Sequence, residues 1–160
     1  MGMEPLVATP SFAVPLRLVV GVVAGTIATF AMDGVMTRLP EGMTPPLVAA
    51  GVLTDRRPGD AHPRLAAVAH YLAGGASGPL YVTLLLFGEA LLGVSVSTYL
   101  FTAAVMYLAM VGFFTVVVLP QARGLGRSRI ERIRLDWALS AAAYLAILVP
   151  LVAIGSGYLQ

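Results

Sequence analysis

The chain contains no cysteine and no lysine. Without cysteine there are no disulfides, no thiol nucleophile and no thiolate-held metal or cluster, and the redox compartment stays open. Charge of either sign is scarce. Only 11% of the 160 residues are charged, against about 25% in a soluble domain, so the chain lacks the surface that would face water. Histidine is nearly absent as well. His62 precedes Pro63 in a polar stretch, which leaves His70 as the one histidine inside an apolar run and excludes a bis-histidine haem within one chain. There is no HExxH, no glycine loop followed by lysine and no Gly-x-Ser-x-Gly, so zincin, phosphate-loop and hydrolase-elbow chemistry are excluded. A two-metal site would want more carboxylates than Asp33 and Asp136. No metal, no cofactor and no nucleic-acid partner is expected.

Apolar sequence is what the chain has. It is 58% hydrophobic with a mean hydropathy of +0.87, which defines an integral membrane protein of one domain, residues 1–160. Four runs are long enough to cross a bilayer, which takes roughly 20 residues per helix: about 16–36, 65–87, 98–119 and 136–157. The expected fold is all-α, a membrane four-helix bundle organised around the second span. That span holds Gly74, Gly75, Gly78 and Pro79 in its middle, and small or polar residues inside an apolar span face other helices. Gly21, Gly25 and Thr29 form a matching small-residue stripe on the first span. Gly21, Gly25, Gly74 and Gly78 are therefore the expected packing positions. Pro79 should kink its helix with Gly75 supplying the freed carbonyl, and Pro150 should kink the fourth. The third span, the most uniformly apolar, should have the largest lipid contact.

The connections are unequal. Thr44 followed by Pro45 reads as an N-cap with proline at the first helical position, so Leu47–Leu53 is expected as a short helix in the interface between spans 1 and 2. Asp55–Pro63 is polar and broken by proline. Pro120–Leu135 is an arginine-rich loop, with Ile130–Leu135 open to being helical already. Met1–Pro15 lacks the basic region of a signal peptide, and Leu6 stands where a myristoylation signal wants Ser or Thr, so neither cleavage nor that lipid is expected. Arg38, Arg56, Arg57, Arg64, Arg123, Arg127, Arg129, Arg132 and Arg134 all fall in the first and third loops or their span ends, while Arg17 alone falls on the other side. The positive-inside rule then gives a multi-pass cell-membrane protein with both termini outside. Arg123, Arg127, Arg129, Arg132 and Arg134 also suit contact with anionic headgroups, at about 1 kcal/mol each near the surface.

Four polar residues make a candidate intramembrane site: Asp33, His70, Tyr81 and Asp136. Asp33 and His70 are expected to face each other, with the carboxylate accepting a hydrogen bond from the imidazole and fixing its tautomer. The alternative is that each anchors a helix end near water. His70, Gly74, Ser77 and Tyr81 share one face at 100° per residue. That groove either admits a ligand or is filled by the stripe of the first span. Glu89 reads as a solvated helix-end charge and Trp137 as an interfacial anchor.

The run GVVAGTIATFAMD, then Pro45-Pro46, then His70-Tyr71 with Gly74, Gly78 and Tyr81 resembles the YagU-like group of small inner-membrane proteins over roughly the first half of the chain. The resemblance implies a multi-pass membrane protein without an assigned activity and supplies no catalytic residue. Three functions remain open: a helix-packing or partner subunit that self-associates in the bilayer, an oligomeric small-solute transporter or channel with a site at Asp33 and His70, and a lipid-modifying enzyme of the cytoplasmic leaflet. The first, not an enzyme, rests on the small-residue stripes. Convergence of Asp33, His70 and Asp136 on a pocket would favour the other two.

Overall fold

The computed structural model describes residues 13–157. The reading of Met1–Pro15 as an uncleaved segment therefore lies almost wholly outside the described residues. Five helices account for the fold, with no strand among the described residues: α1 Ala13–Met36, α2 Thr44–Thr54, α3 Pro63–Leu92, α4 Val96–Gln121 and α5 Arg127–Gly157. All but α2 are long and apolar enough to cross a membrane.

The outward faces make the case for a bilayer. Val19, Val23, Ile27 and Phe30 on α1, Leu72 and Phe87 on α3, Leu100, Phe101 and Leu108 on α4, and Leu139 and Ile154 on α5 are all exposed. A soluble protein does not expose apolar surface so continuously, whereas lipid is its natural solvent.

Local chemistry sets the helix ends. His62 caps α3, its Nδ1 accepting the Arg64 N–H at 3.2 Å, and Pro63 follows where a missing N–H costs nothing. Ser95 does the same for α4 through the Thr98 N–H at 3.2 Å. Two ends differ from the sequence reading. Thr44 is the first residue of α2 rather than its cap, and its hydroxyl turns back to Glu41 Oε2 at 2.5 Å. And α5 begins at Arg127, three residues ahead of the helical start open at Ile130, so Arg127 and Arg129 join Arg132 and Arg134 on its opening turns. Arginine is a good helix former, and a helix of 31 residues is about 46 Å long at 1.5 Å per residue. It outruns a hydrocarbon core of about 30 Å.

The core lies among α1, α3 and α5, with α4 against α3 and α5. Ala24, Ala28, Met32 and Met36 from α1 meet Tyr81, Val82 and Leu85 from α3 and Tyr144, Leu148 and Val152 from α5. On α4 Thr98, Thr102, Met106, Phe114 and Leu119 are buried, Tyr99, Ala103, Tyr107 and Met110 are half-buried against the core, and Leu100, Phe101, Val105, Leu108 and Val116 face outward. The α1–α3 contact is made backbone to backbone. A Cβ built on Gly25 would stand 2.9 Å from the Gly74 carbonyl oxygen and 3.0 Å from Gly78 Cα. One built on Gly21 would stand 2.9 Å from Pro79 Cα, and one on Gly78 would run into the Gly21 carbonyl. The helix α3 continues through Pro79. α2 tucks under the bundle, with Ala50 against Ala61 and Ala66, and Val48 against Phe114, Leu119 and Ile133.

Candidate functional site

Asp33, in the last turns of α1, and His70, in the second turn of α3, meet because the two helices are antiparallel and in glycine contact. His70 Nε2 lies 2.7 Å from Asp33 Oδ1. The second carboxylate oxygen accepts the Tyr71 hydroxyl at 2.5 Å, and Tyr71 rests against Phe30 with ring centroids 5.1 Å apart. Asp33 is thus held from both oxygens by consecutive residues of α3. Side-chain exposure is 9% for His70 and 24% for Asp33, so the contact is largely removed from water.

His70 also lines a cavity of about 190 Å³. Its walls come from α3 (Ala69, Ala73, Gly74, Ser77), the far half of α4 (Met110, Phe113, Phe114, Val118) and α5 (Trp137, Tyr144), with Pro45, Pro46 and Ala49 of α2 as floor. Ala73 and Phe113 line it and are exposed, so the cavity reaches the outward, lipid-facing surface between α3 and α4. The α4 wall is shaped by a widened turn. From Phe113 to Val118 the helix is π-helical, with the Leu119 N–H reaching back to the Phe114 carbonyl. Such turns occur frequently at functional sites. The indole N–H of Trp137 donates to the Met110 carbonyl at the entry of this turn at 3.2 Å, and its ring packs on Phe114 at 4.7 Å. The Tyr144 hydroxyl donates to the Gly74 carbonyl at 2.7 Å, one residue before the Gly75 carbonyl that Pro79 deprives of its usual donor.

Tyr81 and Asp136 do not join this cluster. Tyr81 shares a helix face with His70, but eleven residues of helix are roughly 16 Å of rise. It is fully buried and donates to the Tyr99 carbonyl at 3.1 Å. Asp136 is buried at 1% exposure and accepts the Glu41 N–H at 2.7 Å, so it holds the α1–α2 loop rather than the cavity. Glu41 is held in turn by Arg129, Nε to Oε1 at 2.7 Å. That guanidinium keeps the Glu41 carboxyl below the usual range, with a further contribution from the Thr44 hydroxyl. Arg123 pairs with Asp55 at 2.8 Å on the exposed surface. Arg127, Arg132 and Arg134 are exposed and make no ion pair among the described residues.

A second polar constellation sits at the opposite end of the bundle. Arg17 of α1 binds both oxygens of Glu89 on α3, at 2.7 and 2.8 Å, and its Nε donates to Ser156 of α5 at 3.2 Å. Side-chain exposures are 9% and 8%. Glu89 is therefore a buried ion-pair partner and not a solvated helix-end charge. The sequence signal was available: opposite charges stand at matching depth on antiparallel neighbours.

These outward apolar helices define a multi-pass membrane protein. No family model, no curated protein and no solved structure matches the chain.

Proposed function

We propose that this protein binds a small, mostly apolar molecule drawn from the bilayer, in the cavity between α3 and α4, and does not transform it. One observation carries the reading: an apolar cavity open to the lipid-facing surface is lined by His70, whose Nε2 is already engaged by the Asp33 carboxylate. An apolar cavity of ~150 Å³ accommodates a benzene ring, so this one has room for a ring or a short stretch of acyl chain. Turnover is disfavoured because, among the described residues of the cavity wall, the Tyr144 hydroxyl is given to the Gly74 carbonyl. Ser77, the nearest hydroxyl of α3 in the cavity, is two helical turns on. Kinship with the YagU-like group is part of the proposal, since the residues that carry that resemblance include Gly25, Asp33, Pro45, His70 and Gly74 of the helix contact and the site.

Trp137 is the only tryptophan of the chain and lines the cavity, so it reports occupancy directly. Iodobenzene, a heavy-atom quencher, is expected to quench its emission saturably in detergent. In Ala73→Phe, which fills the mouth, only a linear collisional response should remain. Linear quenching in both proteins would overturn the reading.

We further propose that the end carrying nine of the ten arginines faces the cytoplasm, with the first turn of α1 and the last of α5 outside. The chain has no native cysteine, so single substitutions are clean. Arg57→Cys and Ser128→Cys should be protected from an impermeant thiol reagent in intact cells, and Ser97→Cys should be labelled. The reverse pattern would invert the topology.

A further inference from the structure

We infer that the polar end of the cavity is an acceptor site, so that the ligand is an uncharged hydroxyl compound, a phenol or an alcohol on a small apolar body. The inference rests on the cavity being a binding site, and follows from counting protons in its wall. The indole N–H of Trp137 is given to the Met110 carbonyl. The one proton of the Tyr144 hydroxyl is given to the Gly74 carbonyl. His70 Nε2 faces the Asp33 carboxylate, which can only accept, so the proton of that nitrogen is given to Asp33. Both Trp137 and Tyr144 are thereby spent as donors, and the indole has no acceptor to offer. What remains is the Nδ1 lone pair of His70, a lone pair on the Tyr144 oxygen, and the Ser77 hydroxyl, which makes no hydrogen bond among the described residues. Acceptors exceed donors. Among the described residues no arginine lines the cavity, and the Asp33 carboxylate is bound to the imidazole at 2.7 Å, so an anionic group would meet one neutral donor and a repelling charge. A hydroxyl satisfies the site by donating to His70 Nδ1.

Asp33 is then a positioning residue that sets the polarity of the site by choosing the tautomer. Tyr71 extends this control. Its hydroxyl donates to the second oxygen of Asp33, so in Asp33→Asn the amide oxygen stays with Tyr71 and the amide NH2 turns toward His70 Nε2. Nε2 becomes an acceptor, the proton moves to Nδ1, and the cavity gains a donor in place of an acceptor.

The test compares 4-ethylphenol, its methyl ether and 4-ethylbenzoate, with Trp137 emission as readout, at about pH 8, where a phenol is uncharged and a carboxylate ionised. The wild type should bind the phenol about fivefold to tenfold more tightly than the ether, and the benzoate most weakly. In Asp33→Asn the order of phenol and ether should reverse. Nitrogen-15 spectra of the His70 ring should show the proton on Nε2 in the wild type and on Nδ1 in the variant. Tyr71→Phe keeps Asp33 and should keep the wild-type order, which checks that the fold tolerates change at this cluster. Equal affinity for phenol and ether in the wild type overturns the inference while leaving the cavity a binding site. An unchanged tautomer and order in Asp33→Asn also overturns it. Saturable iodobenzene quenching with no response to any of the three would do so as well, whereas loss of the iodobenzene response itself would remove the binding reading beneath it.

Discussion

Arg17→Ala and Glu89→Ala are each expected to destabilise the protein by about 3–5 kcal/mol, because each leaves one charge buried without its partner. The two groups bond through both guanidinium–carboxylate contacts at 2.7 and 2.8 Å with less than a tenth of either side chain exposed. A lone Glu89 there would lose its counter-charge inside the bundle, and a lone Arg17 would keep the Ser156 hydroxyl at 3.2 Å but no carboxylate among the described residues. The double variant Arg17→Met/Glu89→Leu should lie far closer to the wild type, since a well-packed apolar pair replaces both the attraction and the desolvation cost. Unfolding in detergent, followed by circular dichroism for the four proteins, measures this. A double-variant loss equal to the sum of the single losses would mean that the two charges act independently, and the pair would then be a surface ornament of the helix ends.

The spans could be read from the sequence because length and hydropathy decide them, and the α1–α3 contact because Gly21, Gly25, Gly74 and Gly78 are spaced for a close approach. The meeting of Asp33 and His70 was legible from the same contact, since both stand near the same end of antiparallel neighbours. Other parts were hidden for definite reasons. Depth in a membrane gives height but not direction, so Asp136 stands at the same end as His70 and turns instead to the Glu41 N–H. A helical wheel gives direction but discards height, so Tyr81 shares the face of His70 while lying three turns away. Tyr71, one residue from His70, falls about 100° round the wheel, yet its long phenol reaches the far oxygen of Asp33. The π-helical turn of α4 has no marker in FFTVVV. Arg127 and Arg129 suggested a loop because charge was read as the end of a span, although a helix can leave the membrane without ending.

Gly78→Leu is expected to abolish stable folding, and of all single changes considered it should have the largest effect. A side chain here has no space to enter, because the first atom it would meet is the backbone carbonyl of Gly21, with Gly25 Cα 3.1 Å away. Backbone on backbone cannot give way as a side-chain tip does, so the helices would have to separate. Overpacking a core with room to adjust costs about 1–3 kcal/mol. Separating α1 from α3 would in addition loosen the packing of Ala24, Ala28 and Met32 against Tyr81 and Leu85 and pull Asp33 from His70. The effect should therefore exceed that range and show as loss of the cooperative unfolding transition in detergent. Gly74→Ala offers a graded comparison. Its Cβ meets the Thr29 side chain, the hydroxyl first and Cβ and Cγ2 at 3.0 Å, so Thr29 must give way and leave its 2.7 Å bond to the Gly25 carbonyl, and a loss of about 1–3 kcal/mol is expected. Ala109→Leu, on the exposed face of α4, should change stability by less than about 0.5 kcal/mol. If Gly78→Leu melts like the wild type, α1 and α3 do not make this contact in the folded protein, and the seat of Asp33 against His70 goes with it.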